Sequence, residues 1–287
     1  MKSHKKLGIM QGRLLPKYQG RFQAHPLGYW QDEFMIAQKM GLCCIEFICD
    51  ADQVEKNPLM NEPGIAQIRN VSAQTGVCVQ TICADYAMEF PLHSEAPKVA
   101  AESGRILLGL LQNAKKLGVT DIVIPCVDQT AFNDEAAQLR FIKNIGPIME
   151  LAEKLAINLA LETDLPPNHV GAFLDALDSK IFTVNYDTGN SAALGYDPVE
   201  ELAVYGTRIS DIHLKDRLRG GKSVELGTGD TDFEKFFKAL AEINYTGPFI
   251  MQAYRDDEGL QIFQKQLAWI TSKLEEWYYP LDGRKNI

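Results

Sequence analysis

The sequence predicts a single (β/α)8 barrel domain over residues 1–287, and three observations favour that fold class. A short apolar strand, a loop and an amphipathic helix follow one another eight times along the chain. No linker-like or low-complexity stretch interrupts this alternation. The length of 287 residues is close to the ~250 residues typical of such barrels. The alternative, an open doubly wound sheet, would need a phosphate-binding loop after the first strand, and MQGRLLP has no such fingerprint.

Glycines mark the ends of the predicted helices in the first half of the chain. After a first strand at Leu7–Met10, the pattern predicts a helix over Gln31–Met40 with Gly41 as its left-handed cap. The same ending recurs at Gly76 and Gly118. An apolar run follows each of these glycines at once, which predicts strands over residues 43–48, 77–84 and 120–127.

Apolar spacing predicts the helices of the second half. Residues 95–117 and 134–155 form two long helices, residues 168–177 form a shorter one, and another short helix follows Pro198. The spacing of Thr231 and Glu234 matches a capping box at the start of the seventh helix. The last helix is predicted by a stripe at spacings of three and four, namely Leu260, Phe263, Leu267, Ile270, Leu274 and Trp277.

Composition and charge exclude several classes of function. A net charge of −9 opposes nucleic-acid binding, although a local cluster of arginines and lysines could still bind a small anion. No apolar run approaches the ~20 residues of a membrane span, and residues 1–6 lead into a strand, unlike a signal sequence. The six cysteines lack CxxC spacing. We therefore expect a cytoplasmic protein with reduced thiols that acts on a small molecule, without nucleic acid or membrane as partner, and a homo-oligomer is compatible with the sequence.

Four predicted strands of the second half end in polar side chains. The runs INLALETD, FTVNYDTGN, ISDIHLKDR and PFIMQAYR carry, in that order, Glu162, Asp187, His213 and Gln252. Ionisable groups are poor core material, because unpaired buried charge is costly. Since the carboxyl ends of parallel strands build the site of a barrel, we expect these side chains to converge on one divalent metal ion. Three oxygen ligands and one imidazole suit Mn, Mg, Co or Zn and do not choose among them.

At these residues the sequence resembles the xylose-isomerase-like barrel superfamily of sugar and sugar-phosphate isomerases and epimerases. The resemblance covers nearly the whole chain, through IMQGRLLP, IEFICD, ALETD, DTGNS, HLKDR, GTGDTDF and IMQAYR. It implies a divalent ion bound through Glu162, Asp187 and His213, with Gln252 at the position of the family's final glutamate. It also implies a small-molecule sugar or sugar-phosphate substrate.

Two positions depart from the family pattern. The epimerases exchange protons with carbon through two glutamates on opposite sides of the substrate, and Gln252 cannot act as a base. Asn190, three residues past Asp187, stands where some epimerases carry a histidine. The related DNA-repair endonuclease IV needs a histidine-rich trinuclear zinc cluster. This chain has only five histidines, with His4 and His25 in the N-terminal segment, and cannot supply that cluster.

Several cations follow the predicted strands. Lys215 lies two residues beyond His213 on the same predicted strand face. It either reaches the mouth of the cavity as a catalytic group or forms an ion pair with Asp211 or Asp216. Arg217 and Arg255 lie at the predicted rim, where guanidinium groups suit phosphate or carboxylate recognition of the substrate. Arg13 and Arg21 in the first loop have the same potential, or serve solubility alone.

The favoured hypothesis is a metal-dependent sugar or sugar-phosphate isomerase or epimerase that moves a proton next to a carbonyl through a metal-stabilised enediolate. Glu162 would be both ligand and proton carrier, and without a base at Gln252 a one-base 1,2-shift fits better than a two-base epimerisation. Glu46 and Asp85 end the second and third strands. Each could contact a sugar hydroxyl, replace the missing base or form a structural ion pair.

Two other functions remain open from the sequence. The same superfamily contains dehydratases of cyclic polyols, and such an enzyme needs only one base and a metal-bound leaving hydroxyl. A sugar-binding barrel without catalysis would explain Gln252, whereas the intact set of Glu162, Asp187 and His213 opposes it.

Overall fold

The computed structural model describes residues 7–279, so the chain start at residues 1–6, including His4, lies outside the described residues. Eight of the strands it describes form a closed barrel. Their bounds are Leu7–Met10 (β1), Cys44–Ile48 (β2), Cys78–Cys83 (β3), Asp121–Cys126 (β4), Asn158–Thr163 (β5), Phe182–Asp187 (β6), Ile209–Leu214 (β7) and Phe249–Met251 (β10). Two further short strands, Asp216–Arg217 (β8) and Ser223–Val224 (β9), pair as an antiparallel ribbon beyond β7.

All neighbouring barrel strands run parallel. The order around the barrel is β1-β10-β7-β6-β5-β4-β3-β2, and β1 closes it by pairing Leu7 with Phe249 and Ile9 with Met251. Parallel strands need crossover connections, which here are the helices and loops of the outer layer. The predicted (β/α)8 barrel is therefore confirmed.

Helices connect successive barrel strands and surround them. Within residues 7–279 their bounds are Gln31–Met40 (α1), Glu62–Thr75 (α2), Pro97–Leu117 (α3), Glu135–Leu155 (α4), Pro167–Ala176 (α5), Thr188–Leu194 (α6), Pro198–Tyr205 (α7), Phe233–Ala241 (α8) and Gln261–Lys273 (α9), which a π-helical turn at Leu274–Tyr278 extends. The helices α1, α2 and α3 end at Gly41, Gly76 and Gly118 with φ of 76°, 73° and 77°, as predicted. Among these described helices, none has both the length and the apolarity needed to span a bilayer.

The predicted capping box at Thr231 is wrong. The cap of α8 is Asp232, whose carboxylate accepts from the backbone N–H of Lys235. Thr231 is occupied elsewhere, because its hydroxyl donates to the carbonyl oxygens of Thr188 and Lys215. The true cap thus lies one residue later, since the threonine side chain is used to hold the loop after β7.

Apolar side chains fill two layers. A small cluster lies inside the barrel, and it consists of Met10, Cys44, Ile48, Cys83, Val123, Ala160 and Ile250. The larger cluster lies between barrel and helices, where Phe263, Ile270 and Leu274 of the predicted last stripe are buried. All six cysteines are free, and four are buried, whereas Cys43 is half-buried and Cys78 is exposed. On β1, β2 and β3 this interior cluster reaches the carboxyl ends of the strands at Met10, Ile48 and Cys83, whereas the polar side chains predicted as ligands lie at or near the ends of later strands.

Candidate active site

Three buried ligand side chains meet at the carboxyl ends of adjacent strands. Glu162 lies near the end of β5, Asp187 ends β6 and His213 lies in β7, directly opposite Asp187 in the strand register. One ligand atom from each of these residues lies within 4.8 Å of the other two. The structure therefore brings together three of the four side chains that the sequence predicts as metal ligands.

Glu46 fixes the orientation of the His213 ring. The Nε2–H of His213 donates to the Glu46 carboxylate at 2.7 Å, and Glu46 also accepts from the Thr81 hydroxyl at 2.7 Å. The other ring nitrogen, Nδ1, lies 3.8 Å from the Glu162 carboxylate and 3.0 Å from the Asn185 amide nitrogen. With its Nε2 proton held by Glu46, His213 can present the Nδ1 lone pair to a metal ion.

Electrostatics at this cluster favours a cation. Burial and the nearby Asp187 carboxylate raise the pKa of Glu162 to about 7. Burial alone would lower the pKa of His213, but the carboxylates of Glu46 and Glu162 outweigh burial and raise it to about 9. A divalent ion can replace the protons held by such a group of buried acids and imidazole.

Asn190 joins the carboxylates to two cations. Its amide nitrogen donates to Glu162 at 2.7 Å, while its amide oxygen accepts from Lys215 at 3.2 Å and from Arg217 at 2.8 Å. Lys215 also lies 3.3 Å from the carboxylate of Asp187. Lys215 is therefore directed towards the ligand cluster.

The structural alternative for Lys215, an ion pair with Asp211 or Asp216, does not occur. The carboxylate of Asp216 accepts instead from backbone N–H groups of Gly227 and Gly229 and fixes the loop that follows the short ribbon. Asp211 precedes His213 by two residues on β7 and is fully buried, and its carboxylate accepts from the backbone N–H of Ile212.

Gln252 follows β10 and presents a buried oxygen without a partner. Its amide nitrogen donates to Gln23 at 2.8 Å, whereas its Oε1 has no hydrogen-bond partner among the described residues. Buried polar atoms without partners are rare in folded proteins and need an explanation. A metal ion or a substrate hydroxyl would satisfy this oxygen, so the residues present fit a divalent ion.

The other predicted substrate-binding residues lie in different settings. Glu46 is fully buried behind His213, so the expected sugar contact by Glu46 does not fit its position. Arg255 donates to the carbonyl oxygen of Arg13, and its guanidinium stacks 4.5 Å from the Phe22 ring, which places it behind the first loop instead of at an open rim. Its Nη1 is used by this contact within the protein, whereas its buried Nε has no acceptor among the described residues.

Asp85 and Arg217 each lie one side chain away from a proposed ligand, because Gln23 joins Asp85 to Gln252 and Asn190 joins Arg217 to Glu162. Asp85 is partly exposed, accepts from Gln23 at 3.3 Å and from the Cys83 thiol at 3.1 Å, and its pKa is raised by burial. Arg217 is half-buried, with the carbonyl oxygen of Gly221 accepting from its Nε and Nη2. Both positions are consistent with substrate contact.

Sequence reasoning missed three residues of the site. Asn185 lies on β6 two residues before Asp187, and the alternation of side chains along a strand could have identified it. Gln23 lies in the first loop, where no periodic pattern exists. Glu33 is fully buried in α1 and accepts from the backbone N–H groups on both sides of Arg13, at 2.8 and 2.9 Å. A glutamate in an ordinary first helical turn gives no sequence signal of this kind.

Comparison with known proteins agrees with this geometry. The xylose isomerase-like TIM barrel family matches residues 34–273. L-ribulose-5-phosphate 3-epimerase UlaE from Escherichia coli (strain SMS-3-5 / SECEC) is 28% identical over 259 residues, which are 85% of this chain and 90% of that protein. This relative is a sugar-phosphate epimerase.

Solved structures share the fold. The apo form of 3-keto-D-glucoside 4-epimerase, YcjR, from E. coli has a TM-score of 0.73 at 15% identity, covering 93% of this chain and 99% of that chain. A xylose isomerase-like TIM barrel protein from Mycobacterium smegmatis in complex with magnesium has a TM-score of 0.69 at 18% identity, covering 94% and 96%. The family match spans most of the chain, and the chain therefore belongs to the xylose isomerase-like TIM barrel family.

Proposed function

We propose that this protein is a divalent-metal-dependent epimerase of a ketose or ketose phosphate. The observation that carries the proposal is the convergence of Glu162, Asp187 and His213, whose ligand atoms lie within 4.8 Å of one another. The epimerase activity of the E. coli relative supports the reaction class. The buried Gln252 oxygen would complete the ligand set.

Glu162 is the proposed proton carrier. A bound divalent ion would act as a Lewis acid on the substrate carbonyl and lower the pKa of the neighbouring C–H group. Glu162 then takes the proton from that carbon, which leaves an enediolate. A carboxylate in this position can accept the proton from carbon and return it. Asn185 and Asn190 hold its two oxygens in place.

Lys215 and Arg217 act on the same side of the cavity. Both donate to the Asn190 amide oxygen, so their positive charges lie next to the Glu162 carboxylate that Asn190 binds. Positive charge held in a partly buried site stabilises the negative charge that develops on the substrate oxygens. We therefore assign Lys215 to catalysis and Arg217 to substrate binding.

Asp85 is the proposed second proton carrier, since Gln252 cannot act as a base. Burial raises the pKa of Asp85, which favours the protonated form that can donate to the opposite face of the substrate. Gln23 donates to Asp85 and also binds Gln252, so the carboxyl lies on the Gln252 side of the cavity. When Glu162 removes the proton from one face of the carbon and Asp85 donates a proton to the other face, the configuration of that carbon is inverted. Glu162 then loses its proton to solvent and Asp85 regains one from solvent.

Asp85→Asn should separate the two half-reactions. We expect epimerisation to fall by about 100-fold or more, because one acid–base group contributes about 10²- to 10⁴-fold. Exchange of the substrate C–H for deuterium should persist, because Glu162 is intact. Both rates can be measured by NMR in deuterated water. Unchanged epimerisation would instead support a one-base reaction.

The function itself is tested with a substrate panel. Purified protein loaded with Mn²⁺, Co²⁺ or Mg²⁺ is incubated with ketoses, ketose phosphates and inososes, and products are identified by chromatography. We expect a change of configuration next to the carbonyl of a ketose or its phosphate. Loss of water from an inosose would indicate the dehydratase, and the absence of turnover with every metal would indicate a binding protein.

Gln252→Glu should raise the affinity for Mn²⁺ at least roughly tenfold, about 1.4 kcal/mol. In the wild type Glu162 and Asp187 supply two negative charges to a divalent ion, and a third carboxylate would bind it more tightly. The added charge should also slow the native reaction, because it opposes the developing enediolate. Calorimetric titration with Mn²⁺ measures the affinity, with Gln252→Ala as the matched control. Equal affinity of all three proteins would show that Gln252 is not a ligand.

A further inference from the structure

We propose that Thr188 and Gly189 are positioning residues for Lys215, because they set where its ammonium group lies beside the metal ligands. The inference rests on the proposed function, in which Lys215 stabilises the negative charge that develops on the substrate oxygens. The two residues lie in the middle of the run DTGN at positions 187–190, whose first and last residues already belong to the proposed site.

The hydroxyl of Thr188 fixes the main chain of Lys215. Lys215 is the single residue between β7 and β8. The Thr188 hydroxyl accepts from the backbone N–H of Lys215 at 3.0 Å and donates to its carbonyl oxygen at 2.6 Å. Thr188 is buried and is the first residue of α6, directly after Asp187. One hydroxyl therefore joins the start of α6 to the residue that carries the ammonium group.

Gly189 leaves room for the stem of the Lys215 side chain. A methyl group on Gly189 would lie 2.7 Å from the Cγ atom and 3.0 Å from the Cβ atom of Lys215. Carbon atoms in normal contact are about 3.5–4.0 Å apart. The φ of Gly189 is not positive, so its backbone conformation does not require glycine. Since glycine is a poorer helix former than alanine, the close approach of Lys215 accounts for glycine at this position of α6.

The ammonium group of Lys215 reaches the two residues that flank this pair. Its Nζ lies 3.3 Å from the Asp187 carboxylate and donates to the Asn190 amide oxygen at 3.2 Å. The Lys215 side chain therefore runs along the first turn of α6 and is only 15% exposed. A free lysine side chain has many rotamers, so contacts that restrict it before the substrate binds reduce the cost of placing its charge.

The reaction step that needs this charge is the formation of the enediolate. A positive charge held in place stabilises negative charge that develops only in the transition state. Loss of the Thr188 hydroxyl should therefore lower kcat and leave KM nearly unchanged, because the bound ketose does not yet carry that negative charge. A residue that serves only the stability of the fold would change neither constant in the folded protein.

A double-mutant cycle with Lys215→Met tests the role of Thr188. The variants are Thr188→Val, Thr188→Ser, Lys215→Met and the double variant Thr188→Val/Lys215→Met, compared by steady-state kinetics with Mn²⁺ and a ketose that wild type epimerises. Thr75→Val is the matched control. The buried Thr75 hydroxyl likewise donates to a carbonyl oxygen and accepts from a backbone N–H, but it lies at the end of α2. Urea denaturation measures the stability of each variant.

We expect Lys215→Met to lower kcat by about 100-fold, and Thr188→Val by about 10-fold or more with KM within about twofold of wild type. Because Thr188 acts through Lys215, the double variant should lose no more than about threefold beyond Lys215→Met. Thr188→Ser keeps the hydroxyl and should stay within about threefold of the wild-type kcat. Thr75→Val should lower stability without changing kcat.

Crystal structures supply a second readout, which does not need turnover. In Gly189→Ala the added methyl group should displace Lys215, so that its Nζ lies more than about 3.5 Å from both Asp187 and Asn190. Gly171→Ala is the matched control, because Gly171 is also a helical glycine and its added methyl group would lie 2.9 Å from the Val204 side chain. In that variant Lys215 should keep both contacts.

Three results would overturn the positioning role. These are a wild-type kcat in Thr188→Val, losses in Thr188→Val and Lys215→Met that multiply in the double variant, and an unmoved Lys215 in crystals of Gly189→Ala. The proposed function is judged separately: if wild type epimerises a ketose and Lys215→Met does so equally well, the function stands and the positioning role fails. If wild type epimerises no ketose, the proposed function fails, and the crystal structures decide whether Gly189 positions Lys215.

Discussion

Glu162→Gln should lower kcat for epimerisation by at least about 10³-fold. The amide keeps the shape of the side chain but cannot accept the proton from carbon, and proton transfer by one group contributes about 10²- to 10⁴-fold. Loss of a charged metal ligand adds to the effect. Steady-state kinetics at saturating Mn²⁺, with exchange of the substrate C–H in deuterated water, measures both half-reactions, and exchange should be lost together with epimerisation.

Glu201→Gln is the matched control for this substitution. Glu201 is also a buried glutamate, but its carboxylate accepts from the hydroxyls of Tyr186, Ser191 and Tyr205, and among the described residues it makes no hydrogen bond to a proposed ligand. We expect its removal to lower stability and leave kcat within about threefold. If Glu162→Gln retained more than a tenth of the wild-type kcat, Glu162 would not be the proton carrier.

Glu46→Ala should lower both stability and metal affinity. Removing one partner of a buried charged pair typically costs about 3–5 kcal/mol, because His213 would lose the group that binds its Nε2 proton. The loss of such a partner behind a metal-binding histidine weakens metal binding by about 10- to 100-fold. Urea denaturation measures the first effect, and Mn²⁺ titration of the folded protein measures the second.

Two further variants make the Glu46 result interpretable. Thr81→Val removes only one hydrogen bond to Glu46 and should cost about 1–3 kcal/mol without loss of metal affinity. Glu46→Gln keeps an acceptor for the His213 proton and should retain more metal affinity than Glu46→Ala. Wild-type Mn²⁺ affinity in a folded Glu46→Ala protein would contradict the positioning role of Glu46.

The fold could be predicted from the sequence because its elements are local patterns. The helix at Gln31–Met40 agrees with the structure at both ends, and the strand predicted at residues 120–127 is observed at Asp121–Cys126. The start of α8 could not be predicted correctly, because Thr231 binds two carbonyl oxygens that are distant in sequence. Local patterns do not register such competition between a cap and a tertiary contact.

The site was predictable only in part, for the same physical reason. Strand-end position identified Glu162, Asp187 and His213, since the barrel topology brings strand ends together. The role of Glu46 depends on a contact with His213 across 167 residues of sequence. The position of Arg255 likewise depends on how the last loop packs against the first. Contacts between the first and the last loops of the chain leave no periodic pattern in the sequence.

The central claim, a divalent ion held by three strand ends, is tested most directly by anomalous diffraction from crystals grown with Mn²⁺. We expect one strong peak about 2.0–2.3 Å from a carboxylate oxygen of Glu162, a carboxylate oxygen of Asp187 and the Nδ1 atom of His213, with the Gln252 oxygen as the fourth protein ligand. His213 Nε2 should remain bound to Glu46. No peak at this position in crystals saturated with Mn²⁺, or coordination through His213 Nε2, would contradict the account.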